Sequence, residues 1–301
     1  MNRNTGILIT DGESILGLEL IRAFLRDSFT NIYAIGSPKS SLPAEVHWLD
    51  MDLRNIFWQE TIWSEIDTVI HSNEFLSFYQ KDKKKIYDQQ VKLTRELLDL
   101  SIYFNVKNFV YLSSVLSLSR SVNPTQLMID GEGEPFFYSN YARSKYEAEL
   151  EVWRASAEGL NSKILNVGFC IEDPSVQRII SHMREYVNSG WASEPMGTIC
   201  IDHAVNIASK CVAVFQEDLW NHQTIISNEL QDLKKLISSK KQPTNSGFSD
   251  RLIKRSLKLW SFLSYQLVHK EGKLNKEIIE FMKSPISNIS METRSTQYVE
   301  S

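Results

Sequence analysis

The first half of the chain alternates short apolar runs with amphipathic stretches, and this alternation restricts the fold more than any other feature. Gly6-Ile-Leu-Ile-Thr10 is followed by a helical pattern over about 15–26. Ile32–Ile35, Val46–Leu49 and Asp67-Thr-Val-Ile-His71 then read as three further strands. A long helix is expected over roughly 84–104, with a fifth strand over 109–113. Strands this short and this apolar are buried on both faces, and helices between them make parallel βαβ units. In such sheets a ligand sits at the carboxyl ends of the strands, where the strand order reverses. The 301 residues are enough to bury a large core, as one large domain or as a core plus a smaller lobe.

The chemistry-bearing stretch is Tyr141-Ala-Arg-Ser-Lys145-Tyr-Glu-Ala-Glu149. Ser139 or Asn140 can cap a helix here and Gly159 can end it. Residues four apart share a helix face, so the Tyr141 phenol and the Lys145 ammonium lie side by side. A free tyrosine titrates near pH ~10, and a fixed positive charge beside it favours the phenolate. The interval alone carries little, because Tyr79/Lys83 and Tyr103/Lys107 repeat it as solvated pairs. Context distinguishes Tyr141: the strand Asn108-Phe-Val-Tyr-Leu112 runs into Ser113-Ser114, which can bring a hydroxyl to the phenol.

With Ser144, Lys145 and the Ala148-Glu149 pair, this stretch resembles the extended short-chain dehydrogenase/reductase superfamily, including its NAD-dependent epimerase/dehydratase and dihydroflavonol-reductase-like branches. The resemblance implies a Rossmann-like, doubly wound parallel α/β sheet with a small C-terminal substrate lobe. It places a dinucleotide-binding core at 1–216, with 167–198 on the substrate side, and the lobe at 217–301. It makes Ser114 the carbonyl-polarising hydroxyl and Tyr141 the proton donor or acceptor. Lys145 becomes the tuner of Tyr141 and the binder of the nicotinamide ribose.

The family expects Thr-Gly-x-x-Gly-x-x-Gly after the first strand, where glycines let the backbone approach a pyrophosphate at a helix N-terminus. Here the line is Thr10-Asp11-Gly12-Glu13-Ser14-Ile15-Leu16-Gly17. Gly17 keeps its place, Asp11 and Ser14 replace the other two glycines, and Gly12 stands one place late. Two readings stand for the acids: a divergent but working loop, or a self-occupied site in which Asp11 satisfies the donors that phosphates would take. Ser14 can cap the helix in either case.

The second strand leads into Gly36-Ser-Pro-Lys39 with no carboxylate for an adenosine ribose, so Lys39 either meets a 2′-phosphate or is a solvated turn lysine. This favours NADP slightly over NAD. Asp52 and Leu53 look like the family's acidic-Leu element beside the adenine, although an Asp opening the next helix would read the same way. Ser72 and Asn73 stand where the family has a His-x-Ala-Ala run lining the cofactor, and His71 reads as structural. Leu118-Ser119 replaces a frequent Tyr-Gly, and the acidic loop 129–135 either borders the substrate opening or is a solvated connection. Beyond a sixth strand over 162–168, Val167 and Glu172 replace the usual Pro and Gly. Asp202 is expected to cap the helix after the strand at 197–201.

The remaining composition excludes more than it assigns. A formal net charge of −4 with 42% apolar residues is ordinary for a globular protein and argues against a general nucleic-acid binder, and the partner that the resemblance implies is a small molecule. Cys170, Cys200 and Cys211 are too scattered for a disulfide framework or a metal site and read as free thiols. With no signal-peptide pattern and no apolar run long enough to span a bilayer, the expectation is a cytoplasmic protein. The basic amphipathic stripe over 251–270 is read as packing over the cleft, ahead of contact with a membrane surface. The sequence leaves two functional classes: an NAD(P)-dependent oxidoreductase or epimerase/dehydratase-like enzyme, and a catalytically weak binding or regulatory protein on the same scaffold.

Overall fold

The computed structural model describes residues 3–37, 45–118, 126–127, 137, 139–188, 198–226, 230–237, 288–289 and 293–295. Its main sheet contains β1 (Ile7–Ile9), β2 (Ile32–Ile35), β3 (Val46–Leu49), β4 (Thr68–His71), β5 (Asn108–Ser114), β6 (Asn161–Val167), β7 (His222–Ile225) and β8 (Thr293–Ser295). The spatial order is β8-β7-β6-β5-β4-β1-β2-β3. The first seven strands are parallel and β8 alone is antiparallel. This is a Rossmann-like α/β fold.

Chain direction across the sheet reverses between β1 and β4, so their carboxyl ends frame the crevice. Two apolar layers cover the sheet. On one face α1 (Ile15–Arg26) packs on the helix Ala204–Gln216, with Phe24, Phe29 and Phe215 meeting edge to face or tilted at centroid distances of 5.3–5.8 Å. On the other, α2 (Leu93–Tyr103) and α3 (Asn140–Ala157) bury Leu97, Leu98, Val152 and Ala155 against Val69, Phe109 and Ile164. A third cluster joins Phe78, Phe169, Val176, Ile180 and Met183 beside the small strands Phe169–Cys170, Thr198–Asp202 and Leu230–Asp232 and the helix α4 (Pro174–Asn188).

Several expectations change in detail. The helix expected over 84–104 runs from Lys83 to Tyr103 but contains a π-helical turn at Asp88–Lys92. The lobe boundary at 216 cuts too early: β7 extends the main sheet by pairing His222–Ile225 with Lys163–Asn166, and β8 closes that edge. Asp202 is not the N-cap, since His203 occupies that position without a side-chain cap. Asp202 works one residue earlier, accepting from His203 N (2.8 Å), Asn206 Nδ2 (2.9 Å) and Lys210 Nζ (2.8 Å).

Gly17 packs where no side chain fits. A Cβ there would lie 1.9 Å from the Asp11 carbonyl oxygen, and backbone cannot swing aside as a side chain can. Gly17→Ala should therefore lose about 3 kcal/mol or more, at or above the upper end for overpacking. Urea unfolding measures this, and a loss below about 1 kcal/mol would show that the turn yields easily.

Candidate active site

The helix α3 forms as its sequence requires. Ser139, extended at φ −145°, caps it by accepting from Ala142 N at 3.0 Å, and Gly159 leaves it at φ +102°. Tyr141 and Lys145 face the sheet, each 1% exposed, with Ser114 5% exposed at the end of β5. The other two Tyr/Lys pairs do not share this setting: Tyr103 is exposed, and Lys107 pairs with Asp67.

Lys145 Nζ donates to Leu112 O at 3.3 Å and lies 6.0 Å from the Tyr141 ring centroid and 5.3 Å from that of Tyr111. Burial lowers its pKa, while Glu74, Glu149 and Asp11 act to raise it. Ser114 Oγ accepts from Leu116 N at 3.2 Å, and its hydroxyl at the phenol acts to lower the Tyr141 pKa.

The expected activation of Tyr141 by Lys145 is not what governs this state. The Tyr141 hydroxyl donates to Glu74 Oε1 at 2.5 Å. Burial, followed by the charge and hydrogen bond of Glu74, pushes the phenol well above its ordinary value. The negative charge in contact with the hydroxyl outweighs the more distant ammonium. Glu74 was not singled out in the sequence. Its sequence signal is its position three residues past β4, at the carboxyl end of a switch-point strand.

Behind this centre, the buried Glu149 carboxylate accepts from Ser113, from Ser117 Oγ (2.5 Å) and from Asn166 Nδ2 (2.8 Å). Asn166 also donates to Ser114 O at 3.1 Å, so this network fixes the strand end that presents Ser114. His71 is structural, as read. Its Nδ1 meets Thr10 Oγ1 (2.9 Å) and its Nε2 meets Thr94 Oγ1 (3.0 Å). Thr94 donates to Gln90 O, so Nε2 carries the proton and donates to Thr94. Burial pushes the imidazole down to about 3, which keeps it neutral.

In the first turn Ser14 is the cap: Oγ accepts from Gly17 N at 2.9 Å and donates to Asp11 O at 2.8 Å. Asp11 therefore does not occupy the helix donors, and self-occupancy by its carboxylate fails. Its carboxyl instead sits without amide partners from α1, and burial pushes its pKa up to about 6, with Glu13, Glu74 and Asp173 adding to the rise and Ser14 opposing. Of the flanking residues, Leu16 packs on the core and Ile15 is 36% exposed.

A cleft of about 160 Å³ opens beside the turn, lined by Asp11, Glu13, Gly36, Asp52, Leu53 and Asn73 among others. Asp52 both lines it and caps the following 3₁₀ helix, accepting from Arg54 N at 2.9 Å. Asn73 Nδ2 donates to Gln89 O at 3.4 Å. Ser72 N donates to Thr10 Oγ1, while the buried Ser72 hydroxyl has no hydrogen-bond partner among the described residues. Lys39, the loop 129–135, Ser119 and the stripe over 251–270 lie outside the described residues. A second cavity of about 170 Å³ lies beyond Glu74, lined by Phe78, Tyr79, Ser175, Arg178 and His182. Consecutive residues, Asn73 and Glu74, thus wall the two spaces.

The cleft brings together the turn after β1 (Asp11, Glu13), the end of β2 (Ile35, Gly36) and Asp52 with Leu53, the segments where the resemblance expects the adenosine half of a dinucleotide. Gly12 is packed tightly, since a Cβ there would come within 2.8 Å of Ala34 Cβ. Among the described residues no His/Cys/Asp/Glu group could hold a metal ion, and no helix is long and apolar enough to cross a membrane.

A parallel sheet of this order, with its switch point between β1 and β4, is the Rossmann-like arrangement that binds dinucleotides. The model of the NAD-dependent epimerase/dehydratase family matches residues 7–190, and the chain belongs to that family. Among solved structures it is similar to a UDP-glucose 4-epimerase of Thermotoga maritima bound to UDP-glucose, with 16% identity and a TM-score of 0.61 over 77% of this chain and 80% of that one. It is also similar to the Thermus thermophilus UDP-glucose 4-epimerase in complex with NAD (17%, TM-score 0.57, 77% and 81%). A third is the UDP-N-acetylglucosamine 4-epimerase of Bacillus cereus (18%, TM-score 0.58, 78% and 80%). None of the curated proteins matches the chain in sequence.

Proposed function

We propose that the chain is a nicotinamide-dependent enzyme of epimerase/dehydratase type that oxidises a carbinol carbon to a carbonyl, or reduces that carbonyl, in an anionic small molecule of the nucleoside diphosphate sugar class. The convergence of Ser114, Tyr141 and Lys145 behind Glu74, which walls the second cavity, carries this reading. Bound nicotinamide would supply the hydride acceptor. Tyr141 Oη exchanges the proton of the substrate hydroxyl, and the Ser114 hydroxyl holds the same oxygen. Lys145 holds the nicotinamide ribose and places a positive charge near the phenol. For any of this to begin, Glu74 must release Tyr141 Oη. Arg178 and His182 on the wall of the second cavity supply cationic and polar groups for an anionic substrate.

The second reading, a binding or regulatory protein, is favoured by one observation, the Glu74 carboxylate already seated on the phenol. Turnover of a panel of nucleoside diphosphate sugars with NAD and NADP separates the two. Dinucleotide binding with no turnover on any of them would favour the second.

Binding itself should depend on pH through Asp11. Pyrophosphate brought to α1 adds negative charge beside a carboxyl that titrates at about 6 and so favours its protonated form. Affinity should be highest below pH 6 and fall as pH rises through that value. Asp11→Asn should bind about tenfold more tightly at pH 8, as expected for relief of ~1.4 kcal/mol of repulsion, and should flatten the profile. Calorimetric titration with NADH at several pH values tests this. Equal pH dependence in both proteins would clear Asp11 of any role.

A further inference from the structure

We infer that Glu13, from the turn after β1, supplies the carboxylate that binds the adenosine ribose, and that the chain therefore selects NAD over NADP. This rests on the dinucleotide-binding reading above and assigns one residue of that same site. In doubly wound folds the ribose hydroxyls are met by an acid about 20 residues beyond the glycine turn, at the end of the second strand. That position here is Ser37, which has no carboxylate. The structure brings one to it from another element. Glu13 Oε2 accepts from Ser37 N at 3.2 Å, so its carboxylate lies at the carboxyl end of β2 and on the wall of the 160 Å³ cleft.

The surrounding residues are built for this crossing. Gly36, at φ +135°, lies directly beneath the Glu13 side chain, and a Cβ on it would come within 2.9 Å of both Glu13 Cβ and Cγ. Gly12 N donates to Ile35 O at 2.9 Å and Gly36 N donates to Leu49 O at 3.1 Å, tying the turn to β2 and β2 to β3. Ser37 Oγ donates to Asp50 Oδ1 at 2.8 Å, which orients the amide that Glu13 accepts from. A carboxylate held here can accept from both hydroxyls of a ribose diol.

The same arrangement disfavours a 2′-phosphate. Asp11, Glu13 and Asp52 line the cleft and Asp50 stands behind Ser37. Against these carboxylates, Arg54 is the one basic side chain among the described lining residues. A phosphate dianion would therefore enter a predominantly acidic corner, whereas a neutral diol finds acceptors there.

Titration of wild type, Glu13→Gln and Glu13→Lys with NADH and with NADPH, followed by tryptophan fluorescence and calorimetry, tests the inference without turnover. Glu13 is exposed, so circular dichroism should show both variants folded. Wild type should bind NADH at least tenfold more tightly than NADPH. Glu13→Gln should lose about tenfold for NADH with little change for NADPH, and Glu13→Lys should reverse the preference. Binding of both dinucleotides with equal losses in the variants would overturn the role of Glu13 and leave the dinucleotide reading standing. Absence of binding of either dinucleotide to all three proteins at millimolar concentration would overturn the reading and the inference together.

Discussion

Tyr141→Phe should reduce turnover by about 10³-fold while leaving dinucleotide affinity within about twofold of wild type. A positioned acid or base contributes about 10²–10⁴ to rate, and the phenol is the group at the crevice able to exchange the substrate proton in the proposed chemistry. The variant removes one oxygen from a ring that stays packed against Phe78, with centroids 6.3 Å apart, so the fold should scarcely respond. It also deprives Glu74 of its hydrogen-bonded partner, but that side chain is exposed and water can replace the phenol. Little change in stability is therefore expected beside the loss of rate. Single-turnover kinetics with a competent nucleoside diphosphate sugar, together with cofactor titration, separates the two effects. Turnover within a few-fold of wild type would remove Tyr141 from the chemistry.

The sheet was legible because its strands are short, apolar and separated by helical patterns, and β1 through β5 fall where that pattern puts them. The caps at Ser14 and Ser139 were legible for the same local reason: a side chain one position ahead of a helix meets that helix's own amides. What escaped was whatever depends on two distant segments meeting. The main sheet gains β7 because His222–Ile225 pairs with a strand some sixty residues earlier, and nothing local distinguishes that run from a lobe element. Glu74 reaches Tyr141 across a separation of 67 residues, and Glu13 reaches Ser37 across 24. Helix geometry put Lys145 and Tyr141 on one face, 6.0 Å from ammonium to ring centroid. The charge in contact with the phenol comes from Glu74, just past β4, which no helix periodicity could reveal. Asp11 shows the converse: it sits in the turn as expected, but Ser14 accepts from the helix amide, leaving the Asp11 carboxyl to burial.

Glu74→Gln should lower the Tyr141 pKa and raise turnover at neutral pH by about tenfold. The phenol is held well above its ordinary value first by burial and then by the charge and hydrogen bond of Glu74. The glutamine keeps the shape and an acceptor oxygen but removes the charge, so the burial contribution remains and the charge contribution goes. A tenfold gain corresponds to about 1.4 kcal/mol, well within what a contacting charge contributes in a site of reduced dielectric. The sign follows from the chemistry: a nearby anion disfavours phenolate, so its loss moves phenolate formation to lower pH and Lys145 becomes the dominant nearby charge. Phenolate absorption in the ultraviolet, with Tyr141→Phe subtracted to isolate this tyrosine among the 11 in the chain, measures the shift without any substrate. The acidic limb of the kcat/KM profile should move down by the same amount. If the pKa falls but turnover collapses, Glu74 is itself a carrier of the proton rather than a restraint upon Tyr141. An unchanged pKa would mean that the carboxylate leaves the phenol in solution, and that the site is open before any ligand arrives.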